Sequence, residues 1–388
     1  MAVVISTFAM GGSVVKRNLG ISIMIKEIII IFLTAMAALL IARVVALKCG
    51  LVDKPGGRKQ HKGEIPLVGG ISFYCVIAMC YLFSPEVLPH TEAHFLTYLL
   101  SVSLLLFVGI ADDRFDLPVA PRVVIQALSA VILMVDGLYL HTFGHLLGEQ
   151  ELQLGPVGYL ATLFATWAAI NAFNMIDGVD GLLGSVSCVI FAALMVVFLL
   201  AGTEIRAMWC LLMIVALIPY LMFNMGFIGG KRLKVFMGDA GSMVIGFTVL
   251  WLVMLGSQGN DAVMAPVTAL WLIALPLMDM VTIMVRRLRR GQSPFHPDRD
   301  HLHHILIRSG LTARQTVLFA SVLTATLACV GMVLSIIGIT EWLSLALFIG
   351  VFASYFAINN KLQQRHPDMR SQLTSSRAVS AEAPVSNR

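Results

Sequence analysis

Asn171-Ala172-Phe173-Asn174-Met175-Ile176-Asp177-Gly178-Val179-Asp180-Gly181-Leu182 is a polar stretch pressed between two long apolar runs. Its polar side chains, Asn171, Asn174, Asp177 and Asp180, recur at every third position. In a regular helix a three-residue step leaves each side chain about 60° from the last, so the four cover roughly half the circumference. Gly178, Gly181 and Gly184 let the backbone loosen, which allows the polar groups to converge on one ligand. The plain alternative is a solvated loop between two spans. Amide and carboxyl groups at strict spacing inside an apolar chain favour a site.

The flanking runs extend through the whole chain. Of 388 residues, 58% are hydrophobic and only 13% charged, and the mean hydropathy is +0.86. No soluble domain has that balance, so the chain reads as an all-α polytopic membrane protein. A span needs about 20 apolar residues. On that rule eleven spans fall at about 26–47, 66–83, 93–111, 122–140, 156–173, 184–201, 206–223, 240–256, 263–285, 315–337 and 340–357. Pro219 and Pro276 lie inside two of them, as membrane helices tolerate. Residues 1–23 do not fit a signal peptide, and Met24 opens a better start. The expected organisation is an N-terminal extension over 1–23 that precedes the native start, a membrane domain over 24–360, and a disordered cytoplasmic tail over 361–388. The six cysteines form no CxxC pair and read as buried reduced thiols.

Lysine and arginine set the expected orientation. With the loop after the first span taken as cytoplasmic, alternate segments hold 22 of the 27 basic residues. The N-terminus is then periplasmic and the C-terminus cytoplasmic. The polar motifs fall in the same inner segments, at 53–64, 112–122, 171–184, 231–239 and 286–304. A transporter would place such residues near mid-membrane on broken helices. Segregation to one face points instead to chemistry on soluble metabolites.

Asp112-Asp113-Arg114-Phe115-Asp116 ends the third span, at a helix C-terminus that is already partly negative. A divalent cation or a cationic substrate group relieves the repulsion there, and hard oxygen ligands favour magnesium or manganese. The alternative is a hydrated helix end. Phe236-Met237-Gly238-Asp239-Ala240-Gly241-Ser242 opens the eighth span after the basic run Lys231, Arg232 and Lys234. Asp239 reads equally as a helix cap, and Phe236 as a ring for stacking on a base or resting among headgroups. The largest inner loop holds Arg286, Arg287, Arg289 and Arg290, then Pro294-Phe295-His296-Pro297-Asp298-Arg299-Asp300-His301-Leu302-His303-His304. It predicts a short amphipathic helix opened by Pro297, with Asp298 and Asp300 in its first turn and His301 and His304 on one face. Histidines among arginines, with no cysteine near, favour a phosphate cradle over a zinc site. The basic loop Asp53–Lys62 suits a phosphate or an anionic lipid equally. Asp279, inside the ninth span, is a functional candidate by its depth and equally a bond to a neighbouring helix. Together these point to a membrane enzyme working on phosphoryl or pyrophosphate groups of a lipid.

These motifs together resemble the polyprenyl-phosphate N-acetylhexosamine-1-phosphate transferases. The resemblance rests on Asp112-Asp113 with Asp116, on Asn171 to Leu182, on Phe236 to Asp239, and on His301-Leu302-His303-His304. Leu51 to Pro55, Asp112 to Asp116 and Ser293-Pro294-Phe295 are similar to the undecaprenyl-phosphate GlcNAc-1-phosphate branch, and Leu302 interrupts the three-histidine run of the MurNAc-pentapeptide branch. The resemblance implies transfer of GlcNAc-1-phosphate from UDP-GlcNAc to undecaprenyl phosphate, with magnesium or manganese required, as the first membrane step of a cell-surface polysaccharide such as O-antigen. It implies a bacterial inner-membrane setting, the lipid bilayer as partner, no nucleic acid, and room for a homo-oligomer. It implies metal binding by Asn174 and Asp239. Asp112 and Asp113 would position or deprotonate the lipid phosphate, or support the metal, and Asp177 and Asp180 would complete the nucleotide site. Phe236 would stack on the uracil, and Arg287, Arg122, His301, His303, His304 and Asn171 would bind substrate. The competing expectations are a sister enzyme for another UDP-amino sugar, a transporter or flippase, and a non-catalytic scaffold.

Overall fold

The computed structural model describes residues 14–54, 63–83, 94–293 and 300–366. Within them the chain is all-α apart from one two-stranded ribbon. A segment that is apolar all round must satisfy its own backbone, and the helix is the conformation that does so. In chain order the helices are α1 (Val14–Cys49), α2 (Gly69–Phe83), α3 (Phe95–Phe115), α4 (Val119–Val135), α5 (Val157–Ile176), α6 (Leu182–Leu200) and α7 (Glu204–Asn224). There follow α8 (Gly238–Ser257), α9 (Pro266–Leu272), α10 (Ala274–Arg289), α11 (Leu302–Arg308), α12 (Ala313–Ile336) and α13 (Glu341–Arg365). The ribbon pairs β1 (Val52–Asp53) with β2 (Ile65–Pro66).

The eleven expected spans correspond to α1 to α8, the α9–α10 pair, α12 and α13. Eight of these are long and apolar enough to cross a membrane, whereas α2 and α4 are shorter apolar helices. The ninth expected span is not one straight helix: α9 and α10 meet at an 80° bend. Ile273 sits between them at φ −105°, ψ 16°, outside the helical region. Pro276 then falls in the first turn of α10, where its missing N–H leaves no helical bond unmade. The last helix runs to Arg365, past the expected start of the tail. The short helix α11 begins at Leu302 with His301 as its N-cap, so Asp300 precedes it instead of lying in its first turn. Residues 1–13, the basic loop at 55–62, the expected helix start at Pro297 with Asp298, and 367–388 lie outside the described residues. The cysteines are free thiols as expected, but only Cys80 and Cys210 are buried, and Cys49 and Cys329 are exposed.

The centre of the bundle is α8, whose membrane-length stretch is buried throughout. Two glycines on its neighbours explain how closely it is held. A Cβ on Gly70 of α2 would lie 2.3 Å from backbone atoms of Gly241, and one on Gly109 of α3 would lie 2.2 Å from Cα of Ala240. Small residues let membrane helices approach to this distance, where close packing replaces the missing hydrophobic drive. Deeper in the bundle, Tyr98 of α3 stacks on Trp251 of α8 at 4.2 Å and its hydroxyl lies 2.8 Å from that of Thr248. The Gly109 contact sets Asp113, one turn later, beside the start of α8.

Candidate active site

At that start, the Asp113 carboxylate accepts the backbone N–H groups of Asp239 and Ala240 at 2.8 and 3.2 Å. The first amides of a helix have no partner within it and carry partial positive charge, so a carboxylate from α3 suits them. Gly238 makes room, with φ +77° and Asp113 Oδ2 2.4 Å from where a Cβ would stand. Asp239 is therefore not the cap of its own helix; Asp113 does that from outside, and the Asp239 side chain is left for other contacts.

Asp112 is buried and accepts from Arg122 Nη1 at 2.7 Å and from the Leu117 N–H at 2.9 Å. The same Nη1 lies 3.9 Å from Asp239 Oδ2. Arg122 and the first amides of α8 thus offset part of the repulsion expected at the end of α3, while α8 also brings the Asp239 carboxylate to the same place. Asp116 is exposed, with its backbone in the left-handed region at φ 53°.

Asn174, in the last turn of α5, donates through Nδ2 to Asp239 Oδ1 at 2.7 Å and to Ser242 Oγ at 2.9 Å. One turn earlier, Asn171 donates to Gln126 Oε1 at 3.2 Å and to the Trp167 carbonyl at 2.8 Å. Arg122, Val123, Gln126, Asn171 and Asn174 line a crevice between α4, α5 and α8. The regular helix ends at Ile176, so only Asn171 and Asn174 of the four polar groups lie on α5, and Asp177 and Asp180 follow in the glycine-containing turn. Asp177 follows as a partly exposed residue, and burial of its carboxyl, with Asp239 and Asp180 adding repulsion, pushes it up to about 7. Asp180 pairs with Lys234, whose ammonium lies 5.1 Å from the Phe236 ring centroid. Asn224 ties this turn to the next loop: its Oδ1 accepts from Gly181 N–H and its Nδ2 donates to the Val235 carbonyl. The N–H groups of Val68 and Gly69 both reach the Phe236 carbonyl, at 3.1 and 3.0 Å, and hold the loop before α8 from its other side.

The histidines form a second wall. His301 Nδ1 lies 2.9 Å from Asp279 Oδ2, while the Leu302 N–H and the Tyr355 hydroxyl donate to Asp279 Oδ1 at 3.0 and 2.9 Å. His301 stacks on His303 at 5.5 Å, and His304 lies 4.3 Å from His303 between ring centroids. His303 is buried, and a Cβ on Gly178 would come within 2.1 Å of its Nε2. Burial, then His304 and His301, hold the His303 ring well below the usual histidine range, so it is neutral. The ring stack therefore pairs His301 with His303, which the expected shared face of His301 and His304 did not include. Arg287 is buried in the last turn of α10. Arg286 reaches Asn359 and Asn360 of α13 and the Asp300 carbonyl, and Arg290 pairs with Asp300 at 2.8 Å. Part of the basic run thus fastens helices together inside the protein.

The sequence pattern does not single out Gln126, Asn224 and Tyr355, and it shows Lys234 and Ser242 only as members of longer motifs. Ser242 stands three residues after Asp239 and Asn224 ends an apolar run, which are usable signals; Tyr355 carries none. Among the described residues no three His, Cys, Asp or Glu side chains make a ready metal cage. The donor chemistry nonetheless fits a hard divalent cation: the Asp239 carboxylate and the Asn174 amide, which uses Nδ2 and not Oδ1 in its two bonds, are both sources of hard oxygen.

The sequence pattern of glycosyl transferase family 4 matches residues 95–257, which span α3 to α8. An undecaprenyl-phosphate alpha-N-acetylglucosaminyl 1-phosphate transferase of Yersinia pestis is 51% identical over 334 residues, covering 86% of this chain and 90% of that protein. The chain belongs to glycosyl transferase family 4. Proteins of the same description from Escherichia coli strain K12 and Haemophilus influenzae are 50% and 47% identical, over 85% of this chain and 89% and 91% of their own lengths. The family segment therefore supplies the α3, α5 and α8 ends that meet at Asp239, and the histidine wall lies beyond it.

Proposed function

We propose that this multi-pass membrane protein transfers GlcNAc-1-phosphate from UDP-GlcNAc to undecaprenyl phosphate, giving undecaprenyl-pyrophosphoryl-GlcNAc and UMP. One observation carries the reading: side chains from three helices, Asp113, Asn174 and Asp239, meet at one end of the bundle, with Asp112 and Arg122 beside them. They do so in a chain about half identical to transferases named for that reaction.

The chemistry is phosphoryl transfer. An oxygen of the lipid phosphate attacks the phosphorus next to the sugar, the bond from that phosphorus to the UMP oxygen breaks, and UMP leaves with the electron pair. The second pKa of a phosphate monoester is about 6, so the lipid phosphate is mostly dianionic at pH 7 and needs little general-base help. The difficulty is to bring several negative phosphates together. Asn174 and Asp239 would hold magnesium or manganese, which when bound supplies positive charge beside the pyrophosphate. Arg122 meets the lipid phosphate from the crevice lined by Asn171 and Gln126. Asp112 aims Arg122, and Asp113 fixes the start of α8. Phe236 and Asp180 take the uracil once Lys234 moves aside, with Asp177 on the nucleotide side. Arg287, His301 and His304 belong to the sugar-phosphate side, and His303 seats them against Gly178.

We place the protein in a bacterial inner membrane with this end of the bundle in the cytoplasm, and its product at the start of a cell-surface polysaccharide. UMP release by the purified protein, with UDP-GlcNAc and undecaprenyl phosphate and with or without magnesium, tests the reading. UMP that requires both substrates and the cation is the expected result. UMP from a different UDP-sugar alone changes the donor, and no UMP from any donor in folded protein overturns the transferase reading.

A further inference from the structure

Asp279 lies in α10 at 3% exposure, and the chemistry above makes no use of it. A carboxylate so placed is costly unless its oxygens are bonded. Three donors meet it: His301 from the turn before α11, the Leu302 N–H from the start of α11, and the Tyr355 hydroxyl from α13. An ionised carboxylate only accepts, so the proton between it and His301 sits on Nδ1. This sets both the tautomer and the direction of the ring, and turns Nε2 away from Asp279. Carboxylates placed in this way orient histidines that act on something else. The ring also has a physical link to the nucleotide turn, since His301 stacks on His303 and His303 abuts Gly178, between Asp177 and Asp180.

We propose that Asp279 is a positioning residue which, with Tyr355, holds His301 so that Nε2 faces the sugar-phosphate part of the nucleotide sugar. The proposal rests on the transferase reading and adds to it a carboxylate and a phenol that never touch the substrate. Tyr355 brings α13, the last helix, into the same device. If Asp279 served only to fasten α11, its loss would disturb both substrates alike and would add to the loss of His301.

The test uses the full-length protein in lipid nanodiscs and steady-state UMP release, with each substrate varied in turn. The variants are Asp279→Asn, Tyr355→Phe, His301→Ala, and the doubles of the first two with the third. Asp279→Asn is expected to lower kcat/KM for UDP-GlcNAc by about 10- to 100-fold, the usual effect of removing an orienting partner. KM for undecaprenyl phosphate is expected to stay within about twofold. Tyr355→Phe acts in the same direction and more weakly. In the His301→Ala background neither substitution lowers the rate further, because the group they position is gone. Losses that multiply in the doubles, equal losses toward both substrates, or a wild-type rate in the singles would overturn the proposal. Should Asp279→Asn fail to fold, Tyr355→Phe and its double decide by the same criteria, since they keep the carboxylate and remove one donor. Absence of UMP from the wild type in the same assay would sink the transferase reading; turnover with multiplying losses would sink only this inference.

Discussion

Asp113 and Asp239 meet through a backbone amide: the Asp113 carboxylate accepts the Asp239 N–H at 2.8 Å, while the Asp239 carboxylate turns to Asn174. One acid holds the helix and the other is presented by it. The two should therefore fail differently when changed.

Asp113→Asn keeps one carboxyl-like oxygen for the α8 amides but loses the charge, whereas Asp113→Ala loses both. The alanine variant should lose about 0.5–2 kcal/mol of stability, as expected for a lost cap, and the asparagine variant less. Thermal unfolding in detergent checks this ordering. Turnover should fall in both, since either change loosens the start of α8.

Magnesium should raise the melting temperature of the wild type, and Asp239→Asn should abolish that rise while leaving insertion and stability close to wild type. A ligand that binds only the folded state stabilises it in proportion to its occupancy. Titrating magnesium against melting temperature, with chelator as the control, checks it. An unchanged magnesium response in Asp239→Asn would remove Asp239 from the metal site.

Arg122→Ala should destabilise by about 1–3 kcal/mol, because it strands the buried Asp112 carboxylate without its cation. Adding Asp112→Asn should restore most of that loss without restoring turnover. Melting temperatures and UMP release of the single and double variants separate the two roles of Arg122.

The Asp177 carboxyl titrates near 7 in the fold, against about 4 in an unfolded chain. Between those values the folded state holds a proton that the unfolded state has released, so stability falls as pH rises. The contribution is fully present below about pH 4 and is lost as the pH passes through 7. Asp177→Asn should remove this slope. Measured without divalent cation, the melting temperature of the wild type should drop relative to the variant from pH 5 to pH 8.

Gly178→Ala should push the histidine wall off the Asp177–Asp180 turn, since its Cβ would come within 2.1 Å of His303 Nε2. Overpacking of this kind costs about 1–3 kcal/mol. His303→Ala in the same chain should recover the melting temperature by making room. Failure of that rescue would mean that Gly178 is needed for its backbone and not for the space.

What was legible in the sequence was whatever the bilayer forces on a chain by itself. Apolar length marks a span because no other conformation satisfies its backbone there, so the eleven runs mapped onto helices, though α1 begins at Val14, well before the expected start at 26, and α13 runs to Arg365, past the expected end at 357. The bend before Ala274 was not legible, because a proline in an apolar run is compatible with a straight, kinked or broken span. The acids and amides at 112–113, 171–180 and 239 stood out because uncompensated polar groups beside a membrane are costly.

Their division of labour came from elsewhere. Whether Asp239 caps its own helix depends on Gly109 and Gly70, which let α3 and α2 close on α8 and bring Asp113 to the amides. Whether Asp279 serves structure or site depends on Tyr355, 76 residues away in sequence, and on the turn at His301. Spacing along one helix sets which side chains share a face. It carries no information about which other helix stands opposite that face. The sequence by itself thus determined the membrane helices and the residue types held at one end of them. The tertiary packing decided which acid would cap, which would pair with arginine and which would turn to Asn174, because those roles depend on contacts between helices far apart in the chain.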